Sequence, residues 1–167
     1  YSQEAKNLSL HFVQVFGLCR GTLANQVKER KLEQGYLLMA FRNIRGYFDI
    51  VIGNPPYISI EGLSVEERKI FKALFKFFFH RYDLFGCFIE QGLHLANSDG
   101  ILSFIQPSVF LNSKSFIKCR EHIVKHCSII RLNLLKDGIF QSAVVPTMIM
   151  NVCNTAKENN SIVCSQG

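Results

Sequence analysis

From residue 48 onward the chain alternates short apolar runs with longer amphipathic stretches, and the two periods predict its elements. Phe48 to Ile52 is apolar and β-branched at its centre, which suits a buried parallel strand. It runs into Asn54-Pro55-Pro56-Tyr57. Two adjacent prolines remove N–H donors and stiffen the backbone, so residues 54–60 read as a loop. "LSVEERKIFKALFKFFFHR" offers Ser64 as an N-cap, Glu66 and Glu67 in the first turn, and basic residues later, the order a helix dipole favours. In "YDLFGCFIEQGLHLANSDG", Phe85, Phe88, Ile89, Gly92, Leu93 and Ala96 recur at helical spacing and predict a second helix with one apolar stripe. "ILSFIQP" predicts a strand stopped by Pro107. "SKSFIKCREHIVKHC" predicts a third helix with Phe116, Ile117, Ile123 and Val124 inward. "SIIRLNLL" and "AVVPTMIMNVC" predict two more strands, and the early proline of the second marks a strand start or an edge.

The order strand, helix, helix, strand, helix, strand, strand implies an α/β sheet. The last two strands lack a helix between them and are expected to pair antiparallel across the loop "KDGIFQSA". Residues 1–47 are hard to read. "LSLHFVQVFGLC" suits helix or strand, and "NQVKERKLEQG" reads as a helix ended by Gly35. Residues 154–167 form a polar tail or linker. No internal repeat or low-complexity segment is present.

Composition narrows the class. The 167 residues suffice for one domain with a core. A formal net charge of +6 favours a polyanionic partner, though only weakly. None of the six cysteines, Cys19, Cys87, Cys119, Cys127, Cys153 and Cys164, forms a CxxC pair. With no signal peptide and no apolar run of membrane-spanning length, they read as reduced, mostly buried thiols of a cytoplasmic protein. Cys119, His122 and His126 fall toward one side of the third helix, but no fourth zinc ligand is evident, and no metal is expected. "KIFKALFKFFFHR" suits a core helix with a wet basic face better than a membrane-surface helix.

The residues after the first predicted strand carry the candidate chemistry. Ligands of open α/β sheets bind beyond the carboxyl ends of strands, where Asn54 to Tyr57 lie. Asn54 offers a side-chain oxygen acceptor. The Pro55 carbonyl is a second acceptor, restricted by Pro56, and Tyr57 offers a flat aromatic face. Two fixed acceptors beside a stacking surface suit an amino group on a planar ring or amide. Holding both N–H bonds favours a pyramidal nitrogen and frees its lone pair toward an electrophile, which is transition-state stabilisation by positioned dipoles. The competing reading is a plain strand-to-loop turn that uses Pro-Pro as a stop.

Here the chain resembles the amino-group methyltransferases that use S-adenosylmethionine. "NPPY" after an apolar strand looks like their catalytic motif. "YDLFGCFIEQGLHLANSDGILSFIQPSVFLNSKSFIKCREHI" is similar to the region after that motif in TaqI-type adenine DNA methyltransferases, including the catalytic parts of type IIG restriction-modification enzymes. "DGIFQSAVVPTMIM" resembles that family's next block, and the likeness spans residues 48–153. The resemblance implies the C-terminal part of a Rossmann-like methyltransferase fold. It implies methyl transfer from S-adenosylmethionine to the N6 of an adenine flipped out of double-stranded DNA, within a restriction-modification system. Asn54, Pro55, Pro56 and Tyr57 then form the catalytic motif. Tyr57 and Phe140 stack on the base from its two sides, while Asp83 and Phe88 belong to the cofactor's adenine pocket. From residue types alone, Asp83 also reads as a cap of the second helix and Phe88 as core.

The chain departs from that family in one respect. Its cofactor loop has the form Asp/Asn-Pro-x-x-Gly-x-Gly, whose glycines let the backbone approach the cofactor. No Gly-x-Gly occurs among these 167 residues. With Tyr1 as its first residue, the chain is expected to be the target-base half of a catalytic domain, inactive alone and lacking cofactor-binding and target-recognition parts. The alternatives are a methyltransferase of protein glutamine or RNA, and a non-catalytic DNA-binding remnant.

Overall fold

The computed structural model describes residues 12–14, 45, 46, 48–78, 83–136 and 145–167. Its elements are β1 (Phe12–Gln14), β2 (Phe48–Gly53), α1 (Val65–Leu74), α2 (Phe85–Leu95), β3 (Ala96–Pro107), α3 (Ile117–His126), β4 (Ser128–Leu134), β5 (Thr147–Cys153) and β6 (Val163–Gln166). They build a six-stranded sheet in the order β1-β2-β3-β5-β4-β6. β1, β2 and β3 run parallel, and β5 is antiparallel to both β3 and β4. The α/β order and the final antiparallel pair agree with the sequence pattern. Pro146 precedes β5, which is an inner strand. Its missing N–H therefore costs no ladder bond.

Local chemistry sets the helices. Ser64 closes a capping box on α1: its hydroxyl accepts from the Glu67 amide at 3.2 Å, and the Glu67 carboxylate accepts from the Ser64 amide at 2.7 Å. Phe71, Phe75 and Phe77 turn inward, while Lys69, Lys72 and Lys76 stay in water. No described helix is long and apolar enough to cross a membrane.

α2 is buried along nearly its whole length, the expected stripe included. Gly92 lets it lie directly on β3. A Cβ at that position would stand 2.5 Å from Leu102 Cδ1 and 3.0 Å from Phe104 Cζ. The Asn154 amide donates to the carbonyls of Leu93, Ala96 and Asn97 at 2.9–3.2 Å and fastens the α2–β3 junction. The Glu90 carboxylate, 3% exposed, accepts the amides of Lys76 and Phe77 at 3.0 and 2.8 Å and binds the end of α1 to α2.

Two expectations are corrected. On α3, Phe116, Cys119 and Ile123 face the core, but Ile117 and Val124 are 42% and 72% exposed. Those two lie seven apart on a common face, turned about 100° away from the buried one. The polar tail contains β6, which pairs parallel to β4 from Arg131↔Val163 to Leu134↔Gln166. The reading of 25–35 as a helix lies outside the described residues, and of the cysteines, Cys19 does too.

Gly92→Ala is expected to destabilise the fold by about 1–3 kcal/mol, because both neighbouring side chains are fully buried. Urea unfolding of the two proteins measures the difference.

Candidate active site

β2 ends at Gly53, paired with Phe104 of β3, and the chain leaves the sheet into Asn54-Pro55-Pro56-Tyr57. The prolines halt the ladder. Pro55 is buried, Pro56 half-buried, and Asn54 and Tyr57 are exposed. The two groups assigned to meet a ligand thus face outward, and the stiffening residue between them is anchored.

The next residues fix the loop. The Leu84 amide donates to the Ile58 carbonyl at 2.8 Å, and Ser59 bridges antiparallel to Asp83. This two-residue pairing brings Asp83, 24 residues along, beside the motif. Asp83 does not cap α2 with its side chain. The cap position is Leu84, without a side-chain bond, and Asp83 contributes only its carbonyl, to the Gly86 amide at 3.1 Å. Its half-buried carboxylate has no partner among the described residues. Burial therefore raises its pKa above the ordinary carboxylate value, and burial likewise raises that of the Tyr57 hydroxyl.

Tyr57 stands on an aromatic column. Its ring meets Phe85 edge-on at 6.4 Å, Phe85 stacks on Phe116 at 4.5 Å, and Phe116 meets Phe110 at 5.7 Å. Arg120 locks the far end by donating to the carbonyls of Phe110 and Ser113 at 2.6 and 2.7 Å. Sequence reading placed Phe85 and Phe116 in the core but missed their support of Tyr57, and it missed Arg120 altogether. The spacing from Ser113 to Arg120 carries no signal for a side chain that turns back to backbone carbonyls.

Phe88 is placed differently. It is 1% exposed and belongs to the core cluster, in keeping with its place on the apolar stripe of α2. Phe140 lies outside the described residues. Gln106, two residues beyond the Gly53–Phe104 pair, is fully buried. Its Nε2 reaches the Met150 sulfur at 3.6 Å, and its Oε1 has no partner among the described residues. Cys119, His122 and His126 do not converge on a metal. The Cys119 thiol is buried in the core, while His122 packs against Phe77 at 4.9 Å and His126 at 4.8 Å.

The raised Asp83 pKa has a consequence for stability. The folded state disfavours this carboxylate, so folding is helped at pH below the ordinary carboxylate pKa. That help is lost as pH rises through the raised value. Asp83→Asn is expected to flatten this decline and to leave the fold at least as stable at neutral pH, as read from urea midpoints across a pH series.

Comparison with known proteins places this arrangement. The family model described as Eco57I restriction-modification methylase matches residues 2–140. The type II methyltransferase M.BstVI of Geobacillus stearothermophilus is 28% identical over 117 residues, 70% of this chain and 21% of that protein. The type II restriction enzyme and methyltransferase RM.Eco57I of Escherichia coli is 32% identical over 79 residues, 46% of this chain and 8% of that protein. The aligned regions thus span less than a quarter of these relatives. Among solved structures, the M protein of the type I restriction enzyme EcoKI has a TM-score of 0.52 at 19% identity, over 68% of this chain and 22% of that chain. The type IIG restriction endonuclease BpuSI has a TM-score of 0.53 at 19% identity, over 72% of this chain and 15% of that chain. The α/β architecture is the Rossmann-like fold of S-adenosylmethionine-dependent methyltransferases, and by its match over residues 2–140 the chain belongs to the Eco57I restriction-modification methylase family.

Proposed function

We propose that this chain provides the target-base side of a site-specific DNA methyltransferase that acts on the N6 amino group of adenine. One observation carries the reading: an exposed amide and an exposed aromatic ring flank a buried proline at the carboxyl end of a parallel strand. The Asn54 Oδ1 and the Pro55 carbonyl accept the two N–H bonds of the amino group. Its nitrogen becomes pyramidal as the lone pair turns toward the methyl donor; the new N–C bond would form as the sulfonium–methyl bond breaks to leave a neutral thioether, and the proton would then pass from the amino nitrogen to water. Tyr57 stacks on the extruded base, braced from below by Phe85. Phe140 is proposed as the second face of that clamp.

S-adenosylmethionine supplies the methyl group in this reading. The residues present fit it in part. Asp83 is a half-buried carboxylate without a partner among the described residues, beside the motif, and is proposed to accept from the cofactor's adenine end. The Gly-x-Gly of a cofactor loop is absent from the sequence. We therefore propose that the chain transfers no methyl group alone and acts with a Gly-rich cofactor half. Double-stranded DNA is the proposed partner, in keeping with the net charge of +6.

The test is methyl transfer from labelled S-adenosylmethionine to mixed-sequence duplex DNA. It uses a polypeptide that joins this chain to such a cofactor half. Label is expected as N6-methyladenine. Asn54→Ala should lower turnover by about 10²–10³-fold with unfolding unchanged; label on N4-methylcytosine or on protein would move the target. Tyr57→Phe should retain activity, and Tyr57→Ala should weaken base capture by roughly 1–3 kcal/mol, seen as a raised KM for DNA.

A further inference from the structure

A concavity lies at the end of β2 opposite the motif. Arg45 and Gly46 precede the strand, and the Gly46 amide donates to the His94 carbonyl at the end of α2 at 2.8 Å. Six strand residues separate this end from the motif, roughly 20 Å at ~3.3 Å per residue. Arg45, Lys72, Lys76, His94, Glu90 and Gln91 line a cavity of about 260 Å3 there, together with the 73–75 turn.

The charge balance of that lining is positive. Arg45, Lys72 and Lys76 are exposed, and their side-chain cations have no partner among the described residues. Against them stands the Glu90 carboxylate, both of whose oxygens already accept backbone amides. The ends of α1 and α2 also point their carbonyls here, each equivalent to about half a negative charge. Three cations exceed one carboxylate and two helix ends together. The cavity is smaller than the roughly 300 Å3 at which sites for drug-sized ligands begin. It therefore suits a compact oxyanion rather than a whole cofactor. A guanidinium fork beside two ammonium groups matches phosphate oxygens.

We propose that this pocket binds a phosphate group, either free or carried on a nucleotide or a DNA end. The site is independent of the methyl-transfer reading, because it shares no residue with the motif and needs no cofactor.

The 167-residue chain is titrated at constant ionic strength with inorganic phosphate, adenosine monophosphate, and a DNA duplex with or without terminal phosphates. Binding is followed by amide chemical shifts and calorimetry. The double variant Lys72→Ala/Lys76→Ala is expected to weaken phosphate binding about tenfold or more, while Lys69→Ala, on the same helix but outside the lining, leaves it unchanged. Binding of phosphate and mononucleotide identifies a free ligand. Binding only of duplexes with terminal phosphates identifies a nucleic-acid source and supports the same chemistry. No binding of any probe, or equal loss in Lys69→Ala, overturns the proposal, the latter by reducing the effect to net charge.

Discussion

The hydrogen bond from the Leu84 amide to the Ile58 carbonyl is the contact on which the geometry of the motif rests. Pro-Pro releases the chain from the sheet, and without a second anchor the loop would swing about that release point. The bridge between Ser59 and Asp83 supplies it. It borrows rigidity from α2, which is itself buried almost entirely and seated on β3 through Gly92. The ring of Tyr57 therefore stands on a stack whose members are locked by core packing, the support that a preorganised site needs.

Much of this is legible in the sequence because it is local. The strand before Asn54, the Ser64 cap and the α2 stripe each lie within a few residues of their cause. The features that escape depend on distance or on backbone. Asp83 reads as a helix cap, since nothing in its neighbourhood reveals a bridge to Ser59. Phe88 suits core and cofactor equally from its residue type, and its burial in the core cluster is visible only in the fold. Ile117 and Val124 share a face, but the pattern does not say which face meets the sheet. β6 escapes because an exposed edge strand pairs through its amides and carbonyls, leaving its side chains free of any required pattern.

The site also holds groups that folding alone does not reward. Among the described residues, Asp83 keeps a half-buried carboxylate without a counter-charge and Gln106 keeps a buried carbonyl unpaired. A buried unpaired group such as the Gln106 carbonyl costs about 1–3 kcal/mol. Both sit near the carboxyl ends of β2 and β3, whereas the buried carboxylate on the other side of α2, Glu90, has both oxygens satisfied. The contrast separates a side chain that organises the fold from those that the fold merely tolerates.

The Asn154 clamp has a kinetic consequence. Its amide reaches back 61 residues to the Leu93 carbonyl, so the corner between α2 and β3 is sealed by a residue that lies beyond β5. Closing so long a loop carries an entropy cost that local helix and hairpin contacts do not. On a ribosome, this corner stays unsealed until the last inner strand has emerged and docked. This corner, at the end of α2 far from the motif, is therefore among the last parts of the domain to become rigid, although the motif is synthesised a hundred residues earlier, between Asn54 and Asn154.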